Sequence, residues 1–192
     1  CVKEFSLADD EAALVVNYQI RNDEDRPIHF LFKQHLAIRI TPDCRLWMPG
    51  GLVQAVDTSF STILPERGPF DWPYAAGQGK SIDLRTIPPA DAGAREFVYV
   101  SELPQPWCGV QDMREGAAIR MDFDPRSYPF VWLFLTYGGW RNLYTAVLEP
   151  CTNMPKDLQE AVRRGQSARL EPGQVFETAV SVSVAGVQKT GS

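Results

Sequence analysis

Histidines, paired cysteines, long apolar runs and helical periodicity are all scarce in this chain of 192 residues. It has two histidines, His29 and His35, and four cysteines, Cys1, Cys44, Cys108 and Cys151. No CxxC spacing occurs, so neither a zinc site nor a dithiol redox pair is indicated. The expectation is four free thiols in a reducing compartment. On one extended strand His29 and His35 would stand roughly 20 Å apart, at ~3.3 Å per residue, too far to share a metal ion. No metal and no cofactor are expected. A GxSxG nucleophile elbow is missing, and so are the GxGxxG and GxxxxGKS phosphate loops. The longest apolar run, Phe130–Thr136, is well below the ~18 residues of a membrane helix. No cluster of five or more Lys and Arg occurs and the net charge is −5, which disfavours nucleic acid and anionic membrane as partners.

What the chain does have is a core. Apolar residues make up 44% and charged ones 22%, a balance that suits one packed domain over residues 1–192 rather than disorder. Alternation with period two dominates. Leu14, Val16, Tyr18 and Ile20 share one face of a strand over Leu14–Ile20, and Arg21–Pro27 is a polar turn. Ile28–Ile40 reads as one long extended run, with Ile28, Phe30, Phe32, Gln34, Leu36, Ile38 and Ile40 inward and His29, Lys33, His35 and Arg39 outward. Further strands are expected at Arg45–Met48, Phe60–Leu64, Ser81–Leu84, Glu96–Ser101, Ala117–Phe123, Phe130–Thr136, Leu143–Glu149 and Val175–Val184. Pro and Gly punctuate the gaps as in a sandwich or barrel. One helix is expected over Pro155–Arg164, capped by Asn153 or Met154 and stopped at Gly165. Pro65–Gly79 reads as a long covering or functional loop.

Chemistry must come from few groups. The chain is rich in large aromatics: Trp47, Trp72, Trp107, Trp132 and Trp140, with Tyr74, Tyr99 and Tyr137 near turn sequences. Aromatic faces stack on the C–H faces of sugar rings, although tryptophan in a sandwich is more often core. Glu149 ends a strand before Pro150, where by residue type alone it reads first as a solvated strand-end carboxylate and second as a cleft-rim base. His35 is either a site residue or a hydrogen-bonding partner within a sheet. His29 and the Asp23-Glu24-Asp25 turn read as surface.

Three segments resemble the aldose 1-epimerase, or galactose mutarotase-like, superfamily. They are Leu14–His35, with its Asn22 turn and Lys33-Gln34-His35 ending; Tyr137-Gly138-Gly139-Trp140 followed by Tyr144–Thr152, with Glu149 before Pro150; and Leu170-Glu171-Pro172-Gly173-Gln174 leading into Val175–Val184. The resemblance implies an all-β, antiparallel β-supersandwich with one short helix, lacking roughly the first third of the usual domain. That third holds an Arg and a second His that contact sugar in the family. It also implies interconversion of α and β anomers of an aldose or sugar phosphate, with Glu149 as base and His35 as acid. Substrate contacts would fall to Lys33, Asp71, Trp72, Tyr137, Trp140 and Arg141. A carboxylate and an imidazole suit that reversible proton exchange.

The alternatives are a non-catalytic carbohydrate-binding sandwich and a glycoside-processing enzyme pairing Glu149 with Asp71. The expected partner is a small carbohydrate. Uncovered sheet edges leave a homodimer open. The residues at the start contain no apolar signal region, and the expected setting is the cytoplasm. A leading Cys1 fits a lipoprotein's mature end, a Met-trimmed start or a cut inside a longer product.

Overall fold

Alternating side chains sort this chain into faces, and the faces into layers. The computed structural model describes residues 1–7, 11–64, 68–77 and 81–186. In chain order the strands are β1 (Val2–Leu7), β2 (Ala13–Arg21), β3 (Ile28–Phe30), β4 (Leu36–Arg39), β5 (Cys44–Trp47), β6 (Leu52–Ala55), β7 (Phe70–Asp71) and β8 (Tyr74–Ala76). They continue as β9 (Ser81–Asp83), β10 (Ala94–Ser101), β11 (Trp107–Asp112), β12 (Ala117–Phe123), β13 (Phe130–Tyr137), β14 (Tyr144–Cys151), β15 (Ala168–Leu170) and β16 (Val175–Gly186). One helix, α1 (Leu158–Arg163), lies between β14 and β15.

Two six-stranded antiparallel sheets form the body. The first runs β1-β2-β16-β12-β11-β5 and the second β4-β14-β13-β10-β6-β7. Their facing sides make one core: Val16, Leu46, Val110 and Met121 from the first sheet pack with Val53, Val98, Leu133 and Leu148 from the second. In β13, Val131, Leu133, Leu135 and Tyr137 point into that core. Trp132 and Phe134 alternate with them and belong to the outer face, where they meet Phe97 and Tyr99 of β10. The strand is apolar on both faces, which is why it reads as an unbroken hydrophobic run.

The all-β sandwich with a single short helix agrees with the expectation, and most strands fall within a residue or two of their expected spans. Ile28–Ile40 is corrected: it is two strands in different sheets, β3 pairing with β15 and β4 with β14. Parity survives the break, so Phe32 and Ile38 still face the core while His35 and Arg39 are exposed. Phe60–Leu64 is not a strand. Phe60 and Ser61 donate to the Asp57 carbonyl in a turn, and the Leu64 N–H is taken by the Glu96 carboxylate at 3.0 Å instead of a neighbouring strand. The helix cap is Asp157, whose carboxylate accepts from the Glu160 N–H at 2.8 Å, one turn beyond the expected Asn153 or Met154. Residues 65–67 and 78–79 of the expected Pro65–Gly79 loop lie outside the described residues.

A candidate acid–base site on the outer face

β4 lies beside β14 at one edge of the second sheet, with Leu36 opposite Leu148 and Ala37 opposite Val147. Just before β4 the chain still follows β14: Gln34 N–H donates to the Pro150 carbonyl at 2.9 Å, and Lys33 bridges to Cys151. Odd parity then aims Lys33 and His35 outward at the outward-facing Glu149. The Lys33 ammonium donates to Glu149 Oε2 at 2.6 Å, and His35 Nε2 lies 3.1 Å from Glu149 Oε1. Glu149 is 3% exposed, Lys33 29% and His35 61%. One carboxylate oxygen is thus pinned by a cation and the other meets an imidazole open to solvent.

The flooring of this cluster is aromatic. Trp132 is the cross-strand partner of Glu149, and Tyr99 that of Trp132. The Lys33 ammonium sits 4.7 Å from the Trp132 ring centre, a cation–π placement that limits its freedom. The Trp132 indole N–H donates to the Asn153 carbonyl at 2.7 Å. Cys151 is buried beneath, and that burial pushes its thiol up to about 12. One row along, Phe134 packs against Phe97, Phe60 and Trp140 at 5.3–5.6 Å between ring centres.

Trp140 and Arg141 reach this face through the β13–β14 hairpin tip. Leu143 N–H donates to the Trp140 carbonyl across Arg141 and Asn142, both at positive φ (51° and 56°), the geometry that right-twisted hairpins favour. Gly138 precedes them at φ 82°, and a Cβ there would collide with the Ala90 carbonyl. The Arg141 guanidinium lies 4.6 Å from the Trp140 ring centre.

The fold therefore brings Lys33, His35 and Glu149 into contact and sets Trp140 and Arg141 on the same sheet face. It does not bring the other three to them. Tyr137 and Trp72 are buried core side chains, and burial also raises the Tyr137 phenol; neither offers a surface to a ligand. Asp71 is exposed on β7, the opposite edge of the sheet from β4. Four strand spacings separate β7 from β14, about 19 Å at ~4.8 Å each, so Asp71 and Glu149 are too far apart for paired carboxylates of the ~5–10 Å kind. That overturns the glycoside-processing alternative. Phe97 and Phe134 are outer-face residues that sequence reading passed over; their alternation with Val98, Leu133 and Leu135 was the available signal.

His29 is elsewhere, its Nδ1 2.7 Å from the Ser167 hydroxyl. Among the described residues no group of three or more His, Cys, Asp and Glu is placed to hold a metal ion, and no helix is long and apolar enough to cross a membrane. A cavity of about 640 Å³ opens at the Ser101–Phe130 end and is lined by Leu52, Leu103, Phe123, Pro129 and Met154 but none of the three clustered residues. The Lys33, His35 and Glu149 cluster lies instead on the outer sheet face, with His35 open to solvent.

Solved structures share this architecture. A Klebsiella pneumoniae protein assigned as an aldose 1-epimerase superposes with a TM-score of 0.74 at 12% identity, over 96% of this chain and 46% of its own. The fold is galactose mutarotase-like. A galactose mutarotase-like protein from Lactobacillus casei gives 0.60 at 16% identity, over 94% of this chain and 61% of its own. A TPR-domain containing protein from Parabacteroides distasonis gives 0.66 at 15% identity, over 95% of this chain but only 29% of its own. The chain spans about half the length of the first of these structures. No protein-family profile matches the sequence, and no curated protein matches it.

Proposed function

We propose that this chain carries the acid–base centre of an aldose 1-epimerase-type protein acting on a reducing sugar. The observation that carries the reading is the 3.1 Å approach of His35 Nε2 to Glu149 Oε1 on the outer sheet face. Entry of a sugar requires the exposed imidazole to turn off Glu149, leaving Oε1 facing the anomeric hydroxyl while Lys33 keeps Oε2 fixed. Glu149 takes the proton from that hydroxyl as the C1–O5 bond breaks, and protonated His35 gives its proton to the ring oxygen. The open-chain aldehyde rotates about C1–C2. The O5 hydroxyl then attacks the other carbonyl face, returning its proton to His35, and Glu149 returns its own to the former carbonyl oxygen. No proton is gained or lost over the cycle. Phe134, Trp140 and Arg141 border the place where the rest of the ring would lie. A small carbohydrate partner and a cytoplasmic setting complete this reading.

A non-catalytic carbohydrate-binding module is the second reading. It is favoured by the Lys33–Glu149 ion pair, which already occupies the base, and by the occurrence of the fold in a protein named for another domain. Exchange NMR of anomeric signals, on a panel of aldoses and sugar phosphates, separates the two. Faster α–β exchange that falls by ~10²–10⁴-fold in Glu149→Gln supports catalysis. Saturation transfer to a sugar with unaccelerated exchange supports the binding module, and exchange unaffected by Glu149→Gln removes Glu149 as the base.

A further inference from the structure

The His35 side chain is 61% exposed, so packing around the ring does little to place it and the main chain must do so. That main chain follows β14 in one register. Lys33 lies opposite Cys151 and Leu36 opposite Leu148, which sets Gln34 opposite Pro150 and His35 opposite Glu149. Antiparallel ladders alternate pairs that exchange hydrogen bonds with pairs that do not, and in the second kind the side chains stand closer, at ~4.5 Å between Cα atoms. Gln34 N–H donates to the Pro150 carbonyl at 2.9 Å. Residues 34 and 150 are therefore the hydrogen-bonded kind, and His35 and Glu149 the closer kind.

The rung beside the acid–base pair is incomplete. Pro150 has no N–H, so it cannot return a bond to the Gln34 carbonyl. The rung before it is irregular too: Thr152 N–H donates to the Phe32 carbonyl at 3.0 Å, but Phe32 N–H goes to the Thr152 hydroxyl. The Gln34 side chain points the other way, into the core, where it is buried. Its neighbours on that face, Phe32, Leu36 and Ile38, are apolar, so packing alone calls for no amide there. Gln34 Oε1 accepts from the Tyr18 hydroxyl at 2.8 Å, and Gln34 Nε2 donates to the Tyr128 hydroxyl at 2.7 Å. Tyr18 belongs to β2 of the first sheet, and Tyr128 to the turn entering β13 of the second. Phe32 braces both rings, edge-on to Tyr18 at 5.0 Å and stacked on Tyr128 at 6.2 Å.

We propose that Gln34 is a positioning residue for the acid–base pair: its side chain, hydrogen-bonded between Tyr18 and Tyr128, makes up for the rung bond that Pro150 cannot supply and holds the Lys33–His35 main chain where His35 meets Glu149. The role rests on the reading of His35 and Glu149 as acid and base. With this anchor the exposed imidazole can turn about its own side-chain torsions when a sugar enters, while its backbone stays in register. Lys33, on the same outward face, is kept on Glu149 Oε2 by the same anchor.

The test separates placement from packing. Gln34→Met keeps the length of the side chain but leaves two buried hydroxyls without their amide, and it should lower the urea midpoint. Adding Tyr18→Phe and Tyr128→Phe removes the orphaned groups and should restore most of that midpoint, which keeps the triple variant folded. A merely structural amide would let placement and rate recover together with stability. On the proposal they do not recover. In the triple variant the nuclear Overhauser contact between the His35 ring and the Glu149 side chain stays weakened, and kcat for anomeric exchange stays down by ~10²-fold with KM little changed. A triple variant with the contact and the exchange rate of the unmodified chain would overturn the proposal. Failure of the unmodified chain to speed exchange would remove the sugar reading alone, because the His35–Glu149 contact still reports whether Gln34 places the imidazole.

Discussion

Lys33 and Glu149, 116 residues apart in sequence, are joined by a 2.6 Å hydrogen-bonded ion pair beneath which Trp132 forms the floor. The carboxylate is almost wholly withdrawn from solvent, and that ammonium is its cationic partner. The geometry leaves the other oxygen to His35.

Removing the ammonium should therefore cost stability. Lys33→Met leaves a buried carboxylate with one imidazole neighbour, between the ~0–1 kcal/mol of an exposed pair and the ~3–5 kcal/mol of a broken buried one. A loss of about 2 kcal/mol in urea unfolding is expected, with Lys33→Arg keeping most of the stability. Adding Glu149→Gln to Lys33→Met should recover part of the loss, since the orphaned charge is gone. A double variant as unstable as the sum of the singles would show that the pair is not coupled.

His35 should separate activity from folding. Its imidazole is mostly solvated, so His35→Ala should change the unfolding free energy by no more than about 0.5 kcal/mol. On the proposed mechanism it should slow anomeric exchange by ~10²–10⁴-fold. A stability loss of several kcal/mol with exchange preserved would make His35 a structural residue instead.

How far the site was legible depended on what each residue required. Lys33, His35 and Glu149 could be read because strand parity alone decides which way they point, and parity survived even though Ile28–Ile40 proved to be two strands. Their contact could not be read from period two, since it depends on β4 lying beside β14, a sheet order no local pattern encodes. Trp72 and Tyr137 misled for a related reason: an aromatic near a turn looks the same whether the next layer covers it or not. Asp71 failed by position, being on the right face and the wrong edge. Phe60–Leu64 carries strand-like residues, but the Glu96 carboxylate competes for its backbone and wins.

The buried thiols give a chemical test of the core. Cys108 and Cys151 have raised thiol values because burial penalises the thiolate, Cys151 to about 12, and Cys44 is buried as well. The thiolate is the reactive form. At pH 8, iodoacetamide should label one site, Cys1, in the folded chain and four in urea, counted by intact mass. The same shifts set a sign for stability: the unfolded thiol ionises near ~8.5, and the folded one only at higher pH. The stabilisation is complete below that value and is lost as pH rises towards the folded values. The urea midpoint should therefore fall between pH 8 and pH 10.5, and an unchanged midpoint would contradict the burial.

Glu96 should show the same sign at acid pH. It points into the sandwich and is fully buried. Its carboxylate accepts from the Ser61 hydroxyl, from Leu64 N–H at 3.0 Å and from Phe97 N–H at 3.1 Å. Burial outweighs these donors and raises its carboxyl above the ordinary value of 4.5. A raised folded value means that the folded chain holds the proton more tightly than the unfolded one. The stability this confers is full below the ordinary carboxylate range and declines as pH rises through the raised value. Gln does not titrate, so Glu96→Gln should be most destabilising near pH 4 and progressively less so towards pH 7.5. Glu96→Ala, which abandons all three donors, should cost about 2–4 kcal/mol at either pH and free the Phe60–Leu64 segment, seen as faster hydrogen exchange at Leu64. A Glu96→Gln penalty that grows with pH would mean that the donors dominate and that the carboxylate is held charged to anchor that segment.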